Sequence, residues 1–321
     1  MARIIRPTAY GSPEVLGVVE APIPAPTDDA VVVAVRAAGV NPIDWKLYSG
    51  AFHEVEDEHL DSAGVGSEPL PQLGLECAGV VSAVGRDVTD VRVGDEVVVY
   101  PVTAAYADYV VVQSDSLFAK PSAMQWPEAA GLMLTGTTAA HALHAAGVGS
   151  GETVLVHGGA GGVGLMAVQL AQALGAAVVA TAAERNHDLL RSLGATPVAY
   201  GPGLVDRVRN AVPEKIDAAL DLVGTDEALD SSLELVGDRR RIASITGSAR
   251  RAEAGIKVLG YGPGEDSGAA FRAAARDELI EKVRSGELRV IVDATYPLDQ
   301  ASLAHEAGLA GHAPGKLILV P

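Results

Sequence analysis

The sequence predicts an α/β protein, with a doubly wound parallel sheet in the second half of the chain and a β-rich half before it. Three observations carry this. From about residue 150, short Val, Ala and Leu runs alternate with helical patterns. One junction, Gly158 to Gly164, holds five glycines in seven residues. The first part of the chain has Val-rich runs with no crossover helix of convincing length between them.

In the β-rich half, strands are expected at 30–40 (AVVVAVRAAGV), 76–85, 95–100 and 106–113, punctuated by Gly, Asp and Pro. The segment 50–74 breaks the pattern. It is acidic and ends in Pro and Gly, which fits a solvated loop or a flap over a pocket. Ser122 is read as an N-cap and 127–145 as helical. Then come TVLVHG (153–158), a helix at 162–174, AAVVATA (176–182), a helix near 186–193, and PVAY (197–200). The series continues through VDRVRNAV, IDAALDLVG, ALDSSLELV and RIASITG, and ends near residue 250. A helix at 269–285, a strand at 288–298, a helix at 299–310 and a closing strand GKLILVP complete the chain. The expected domains are 1–121, 122–256, and a return segment 257–321 that completes the first domain.

Composition bounds the function. The chain has 321 residues and 48% hydrophobic residues, enough for a large core, but only 4% aromatics, so small aliphatic side chains do the packing. A formal net charge of −17, with no basic run longer than Arg239-Arg240-Arg241, argues against nucleic acid or an anionic membrane as main partner. One cysteine, Cys77, leaves no intramolecular disulfide and no multi-cysteine metal site. The opening MARIIRPTAY lacks the apolar core of a signal peptide, and no run reaches the roughly 18 apolar residues of a membrane span, so a cytoplasmic soluble protein is expected.

Gly159, Gly161 and Gly164 satisfy G-x-G-x-x-G, with Gly162 and Val163 inside the motif. The motif alone is weak. Here a strand precedes it, and the helix after it carries Val163, Met166, Leu170 and Leu174 on one stripe. A helix N-terminus offers unpaired N–H groups and partial positive charge to a pyrophosphate. No G-K-[ST] follows, so a nucleoside triphosphatase is not expected. The second strand ends Ala180-Thr181-Ala182-Ala183 without an acid to hold a ribose diol. Glu184 lies 20 residues beyond Gly164, so spacing alone permits that role. Its position past the strand end, beside Arg185, favours the other reading, in which Arg185 meets a 2′-phosphate with Tyr200 nearby. NADP(H) is therefore expected over NAD(H). A solvated Arg185 and a merely packed Tyr200 are the plain alternatives.

The ordered set AGVNPIDWKLYSG, LGLECAGVVSAVG, VGDEVV, AYADYVVV, LTGTTAAHAL, VLVHGGAGGVG, RSLGA and GHAPGKLIL covers nearly the whole chain. It resembles the zinc-independent medium-chain dehydrogenase/reductases, in the quinone oxidoreductase or zeta-crystallin-like branch. The resemblance implies a GroES-like β-barrel catalytic domain built from both chain ends, a Rossmann domain between, and a cleft for the nicotinamide. It also implies dimers or tetramers joined through the Rossmann sheet edge. The zinc ligands of related alcohol dehydrogenases are absent: Asn41 stands for the first cysteine, and Gly-His-Glu reads Gly74-Leu75-Glu76. No metal is expected, and Cys77 is read as a small core hydrophobe. His141 and His144 are read as ordinary polar helix positions.

By the same resemblance, Asn41 sits at the cofactor–substrate junction and Thr138 lies near the nicotinamide. Gly161, Gly162 and Val163 face the pyrophosphate, and Leu222-Val223-Gly224 and Thr246-Gly247 border the ribose. Asn41 as a turn residue and Thr138 as a helix cap are the plain readings. Asp44, Tyr48 and Tyr100 are the candidate proton donors, with water as a fourth. Phe52 stands where some enoyl reductases carry a tyrosine, and Ala140 where relatives carry an aromatic. The expected activity is NADPH-dependent reduction of a quinone or an α,β-unsaturated carbonyl, small electrophiles that need no Lewis acid. An enoyl-thioester reductase and a non-catalytic NADPH-binding protein, crystallin-like or RNA-binding, are the rivals.

Overall fold

The computed structural model describes all residues except 52–69, 213 and 312. The expected flap over 50–74 therefore falls mostly outside the described residues, as does Phe52. The chain forms two compact units: Met1–Leu134 with Val290–Pro321, and Thr135–Arg289.

The first unit opens with a hairpin of β1 (Ala2–Pro7) and β2 (Leu16–Ala21). Sequence reading misses this pair because β2 is mostly exposed and shows no buried alternate face. Then come β3 (Ala30–Val40), α1 (Pro42–Tyr48), β4 (Cys77–Val84), β5 (Glu96–Val99), β6 (Tyr109–Gln113), β7 (Leu117–Ala119) and α2 (Trp126–Ala130). The N-cap of α2 is Gln125 rather than Ser122, and the helix expected over 127–145 breaks at Gly131.

The helix α3 (Met133–Ala146) leads into the second unit. It continues with β8 (Thr153–His157), α4 (Gly162–Ala173), β9 (Ala177–Thr181), α5 (His187–Ser192), β10 (Thr196–Val198), α6 (Leu204–Ala211), β11 (Ala218–Asp221), α7 (Asp226–Leu235) and β12 (Ile242–Ser244). Next are α8 (Ala249–Ala254), a two-residue strand β13 (Lys257–Val258) and α9 (Ala269–Arg284). The sheet is parallel, ordered β10-β9-β8-β11-β12-β13. The doubly wound sheet is thus present, with a sixth strand beyond the expected end near residue 250. Its core is aliphatic, built on Leu155, Val179, Val208, Ala219, Leu229 and Ile242.

Three elements return to the first unit: β14 (Val292–Pro297), α10 (Ala301–Leu309) and β15 (Lys316–Val320). The seven-stranded sheet there runs β14-β15-β3-β4-β5-β7, with β6 also on β3. β3 organises this unit: one side pairs with β4, and the other is shared between β6 and β15. Val33, Val35, Tyr48, Leu73, Tyr106, Leu298 and Leu319 are buried in its core, with Cys77. Burying each Val or Leu contributes about 1.5–3 kcal/mol.

The unit boundaries fall after 134 and 289, downstream of the expected 121 and 256. The reason is packing. α2 lies against β3 and β4, so 122–134 stays with the first unit. Leu279 of α9 packs on Gly136, and Gln169 exchanges hydrogen bonds with the Arg289 backbone, so 257–289 stays with the second. No helix among the described residues is long and apolar enough to cross a membrane.

Candidate active site

In the second unit, strands β8, β11 and β12 end in buried polar residues that are register partners: His157, Asp221 and Ser244. Thr181 at the end of β9 adds a fourth, with Oγ1 3.5 Å from His157 Nδ1. This row lies directly under the loops that leave the carboxyl ends of the strands, where open parallel sheets bind ligands.

Each polar group holds a loop. Thr181 accepts from Gly158 N–H through Oγ1 at 3.2 Å and from Gly159 N–H through its carbonyl at 2.9 Å. Gly158 takes φ +74°, which needs glycine. Any Cβ at Gly164 would run into the Gly158 carbonyl, so this glycine lets α4 close onto the loop. Gly161 caps the helix, and the N–H groups of Gly162 and Val163 begin it. Asp221 Oδ1 accepts from Gly224 N–H at 2.8 Å and Val223 N–H at 3.2 Å, which fixes the turn after Leu222. Its Oδ2 accepts from Arg251 Nε at 2.8 Å and from Ser244 Oγ at 3.0 Å. Ser244 Oγ in turn lies 3.1 Å from Thr246 Oγ1, beside Gly247.

Arg185 and Glu184 both stand exposed in a short turn after β9. Tyr200, after β10, is 59% exposed, which excludes the reading of Tyr200 as simple core packing. Its loop is rigidly held: the Arg207 guanidinium donates to the carbonyls of Ala199, Gly201 and Pro202 at 2.7–2.9 Å. The parallel strands bring all these loops to one edge of the sheet, so Gly159, Gly161, Gly162, Val163, Arg185, Tyr200, Leu222–Gly224, Thr246 and Gly247 share that edge.

Thr138 is buried on α3, and Arg272 Nη1 donates to its hydroxyl at 3.4 Å. Arg272 Nε also donates to His141 Nδ1 at 3.3 Å, while His141 Nε2 faces Asp266 Oδ2 at 3.2 Å. An arginine only donates, so Nδ1 accepts and the proton sits on Nε2. Burial and the Arg272 charge keep the His141 pKa low. His141 is thus a polar helix position, as the sequence suggests, but a buried one held by Arg272 and Asp266 rather than an ordinary one.

In the first unit, Asn41 caps α1 and is 1% exposed. Its amide is committed on both ends: Nδ2 donates to Glu76 Oε1 at 3.0 Å, and Oδ1 accepts from Lys316 Nζ at 2.6 Å. Asp44 is fully buried and accepts from Asn41 N–H, Gly74 N–H and Tyr106 Oη at 2.8, 3.1 and 2.9 Å. Burial pushes its pKa up to about 6 against the pull of these donors. His305 lies between Tyr48 Oη, 2.9 Å from Nδ1, and Tyr106 Oη, 3.1 Å from Nε2. Because Tyr106 donates to Asp44, its oxygen accepts from His305 Nε2–H. His305 Nδ1 then accepts from Tyr48. The chain Tyr48, His305, Tyr106, Asp44 thus has one direction and lies entirely in the core.

That geometry departs from the proton-donor expectation for Asp44 and Tyr48. Both are buried, both are spent on internal partners, and burial raises the Tyr48 pKa further. Tyr100 is also buried, just past β5. Asn41 Nδ2–H is likewise not free to stabilise an oxyanion. Cys77 is buried, and burial raises its thiol pKa, as a core hydrophobe requires.

Two family models match the chain: an alcohol dehydrogenase GroES-like domain over residues 27–148 and a zinc-binding dehydrogenase over residues 193–319. Quinone oxidoreductase of Sus scrofa is 31% identical, across 98% of this chain and 97% of its own. An NADPH-dependent alkenal/one oxidoreductase of Arabidopsis thaliana is 28% identical, across 93% of this chain and 74% of its own. The Escherichia coli quinone oxidoreductase complexed with NADPH matches in structure with a TM-score of 0.81 at 28% identity, covering 100% of both chains. A parallel dinucleotide-type sheet joined to a GroES-like domain defines a medium-chain dehydrogenase/reductase. Within that class, the chain belongs to the zinc-independent quinone oxidoreductase branch, a family of oxidoreductases. The zinc in one model's description finds no counterpart in the donor set, since among the described residues no group of three or more His, Cys, Asp or Glu could hold a metal ion.

Proposed function

We propose that the protein is an NADPH-dependent, zinc-free reductase of quinones or α,β-unsaturated carbonyls. The observation that carries this is the carboxyl edge of the parallel sheet. There a glycine loop with open helix N–H groups stands beside an acid-free strand end, Arg185 and an exposed Tyr200. The relatives named for quinones and alkenals support the acceptor class.

NADPH, when bound, supplies the hydride. The chain's residues do the rest. Gly162 and Val163 hold the pyrophosphate through backbone N–H groups, and Arg185 pairs with the 2′-phosphate. Tyr200 stacks on the adenine, an assignment its exposure and braced loop support. Leu222–Gly224 and Thr246 border the ribose, held in place by Asp221 and Ser244. The acceptor is electrophilic already, so orientation and an apolar surface suffice, and solvent provides the proton. Self-association would use the outer edge of β13, which pairs with no further strand among the described residues.

The test is calorimetric titration with NADPH and NADH, followed by an acceptor panel of quinones, enones and enoyl thioesters. Tighter NADPH binding with turnover of quinones or enones supports the reading. Turnover confined to enoyl thioesters points to the acyl-metabolism alternative, and binding without any turnover to a silent cofactor-binding protein.

A further inference from the structure

The loops after β12 and β13 leave the second unit's sheet side by side, because the strands are parallel with Ser244 beside Val258. They leave at the same edge as the glycine loop. The second of them, Gly260-Tyr261-Gly262-Pro263-Gly264-Glu265, turns back at once. Asp266 N–H donates to Val258 O at 2.9 Å, Gly260 N–H to Asp266 O at 3.0 Å, and Glu265 N–H to Gly262 O at 3.0 Å. The Glu265 side chain is half-buried, and its Oε2 accepts from Gly262 N–H at 2.9 Å. That is its one donor among the described residues, where a carboxylate has room for about four.

Three glycines make the place for this carboxylate. A Cβ on Gly247 would collide with Oε1, one on Gly260 would collide with Oε2, and one on Gly262 would lie 3.0 Å from Cδ. None of the three has a positive φ, so space and not backbone conformation explains the missing side chains. A carboxylate that only closed its own turn would involve Gly262 alone. Gly247 belongs to the other loop, so the Glu265 carboxylate lies across both. The neighbouring polar groups at this end are already engaged. Thr246 Oγ1 lies 3.1 Å from Ser244 Oγ, and Ser248 Oγ accepts from Arg251 at 3.2 and 3.3 Å.

We propose that Glu265 is a cofactor-binding residue whose carboxylate accepts from the ribose hydroxyls of the nicotinamide half of NADPH. This rests on the proposed function in one respect, that the carboxyl edge of the sheet binds the dinucleotide. A dinucleotide on an open parallel sheet lies across the glycine loop with its two halves to either side. Arg185 and Tyr200 follow β9 and β10, so the adenine half takes that side and the nicotinamide half falls toward β11 and β12. A carboxylate repels phosphate and accepts from a diol, and a diol is what the nicotinamide half carries. The acid missing beside the adenine ribose thus has its counterpart at the other ribose.

The experiment is calorimetric titration of the full chain and of Glu265→Ala, Glu265→Gln and Gly247→Ala, the last of which keeps the charge and pushes it aside. The titrants are NADPH, NADH, 2′,5′-ADP, which lacks the nicotinamide half, and the reduced 3-acetylpyridine analogue of NADPH, which lacks the amide N–H groups. Glu265→Ala is expected to weaken NADPH, NADH and the analogue alike, by roughly 10- to 100-fold. Glu265→Gln, which keeps one acceptor oxygen, loses less, and Gly247→Ala loses affinity for the same three. Binding of 2′,5′-ADP stays the same in every variant, which also shows that the sheet edge is intact. Unchanged NADPH affinity in Glu265→Ala would overturn the proposal, as would an equal loss of 2′,5′-ADP. Loss for NADPH but not for the analogue would also overturn it, by moving the contact to the amide. A wild type that binds neither NADPH nor 2′,5′-ADP would refute the dinucleotide reading itself, and this inference with it.

Discussion

Arg251 Nη2 lies 2.7 Å from Asp221 Oδ2, with the two side chains 4% and 0% exposed. The pair joins α8 to the end of β11, and the same carboxylate holds the turn at Val223–Gly224 through its other oxygen. Arg251 also donates to Thr225 O at 3.0 Å. Removing one partner leaves a buried charge unpaired, which costs about 3–5 kcal/mol. Arg251→Met is therefore expected to lower stability by that amount in urea denaturation and to raise KM for NADPH more than it lowers kcat, since the ribose-side loops lose their anchor.

Arg185→Ala tests the cofactor preference. A charge-assisted hydrogen bond contributes about 1.5–3 kcal/mol, so NADPH affinity should fall roughly 10- to 100-fold. NADH affinity should stay the same, because the lost partner is the 2′-phosphate alone. Parallel calorimetric titrations of both nucleotides read this directly. Equal losses for both would mean that Arg185 does not read the phosphate.

Gly164→Ala tests the glycine loop. The added Cβ meets the Gly158 carbonyl and the Gly159 backbone, atoms that cannot swing aside. Overpacking of this kind costs about 1–3 kcal/mol. The variant is expected to fold with a lower Tm and to bind either nucleotide poorly, as the N-terminus of α4 moves away from the loop. Gly161→Ala is the control, because its Cβ would meet only Gly158 O at 3.4 Å.

Acid should destabilise the protein before most carboxylates titrate. Burial lowers the pKa of His157 and His305 from 6.5 to about 4. The unfolded chain thus takes up these protons first as pH falls, and the stability from neutral burial, complete above pH 6.5, is lost toward pH 4. Asp44 acts in the opposite sense. Its folded pKa of about 6 exceeds the ordinary 3.8, so its contribution is full below 3.8 and lost as pH rises through 6. Two histidines outweigh one carboxyl, so Tm should drop between pH 6.5 and 4. His305→Gln should flatten that drop and Asp44→Asn should steepen it, both measurable by calorimetry across pH.

What the sequence made legible was local. The glycine loop, its strand and its helix are contiguous, and TVLVHGGAGGVG carries all three signals within a dozen residues. The buried ionic groups were not legible. Arg251 in SARRAEA and Arg272 in AAFRAAARDEL look like solvated helix charges. Their partners lie far off: Asp221 is 30 residues from Arg251, and Thr138 is 134 from Arg272. Lys316 and Asn41 are 275 residues apart, and only the pairing of β15 with β3 brings them together. Asp44 and Tyr48 were misread for a related reason. The sequence shows polar groups near a junction, while the fold turns both inward onto Tyr106 and His305. β13 escaped because two residues are too few to show any period.

The proposed reaction is hydride transfer from NADPH to an electrophilic acceptor without a metal. It is tested most directly by following NADPH oxidation with a quinone and an enone, using protein dialysed against a chelator and checked for residual zinc. Turnover is expected to survive chelation and to fall when NADH replaces NADPH. Turnover that vanishes on chelation and returns with stoichiometric zinc would contradict it, as would NADPH binding without oxidation by any acceptor.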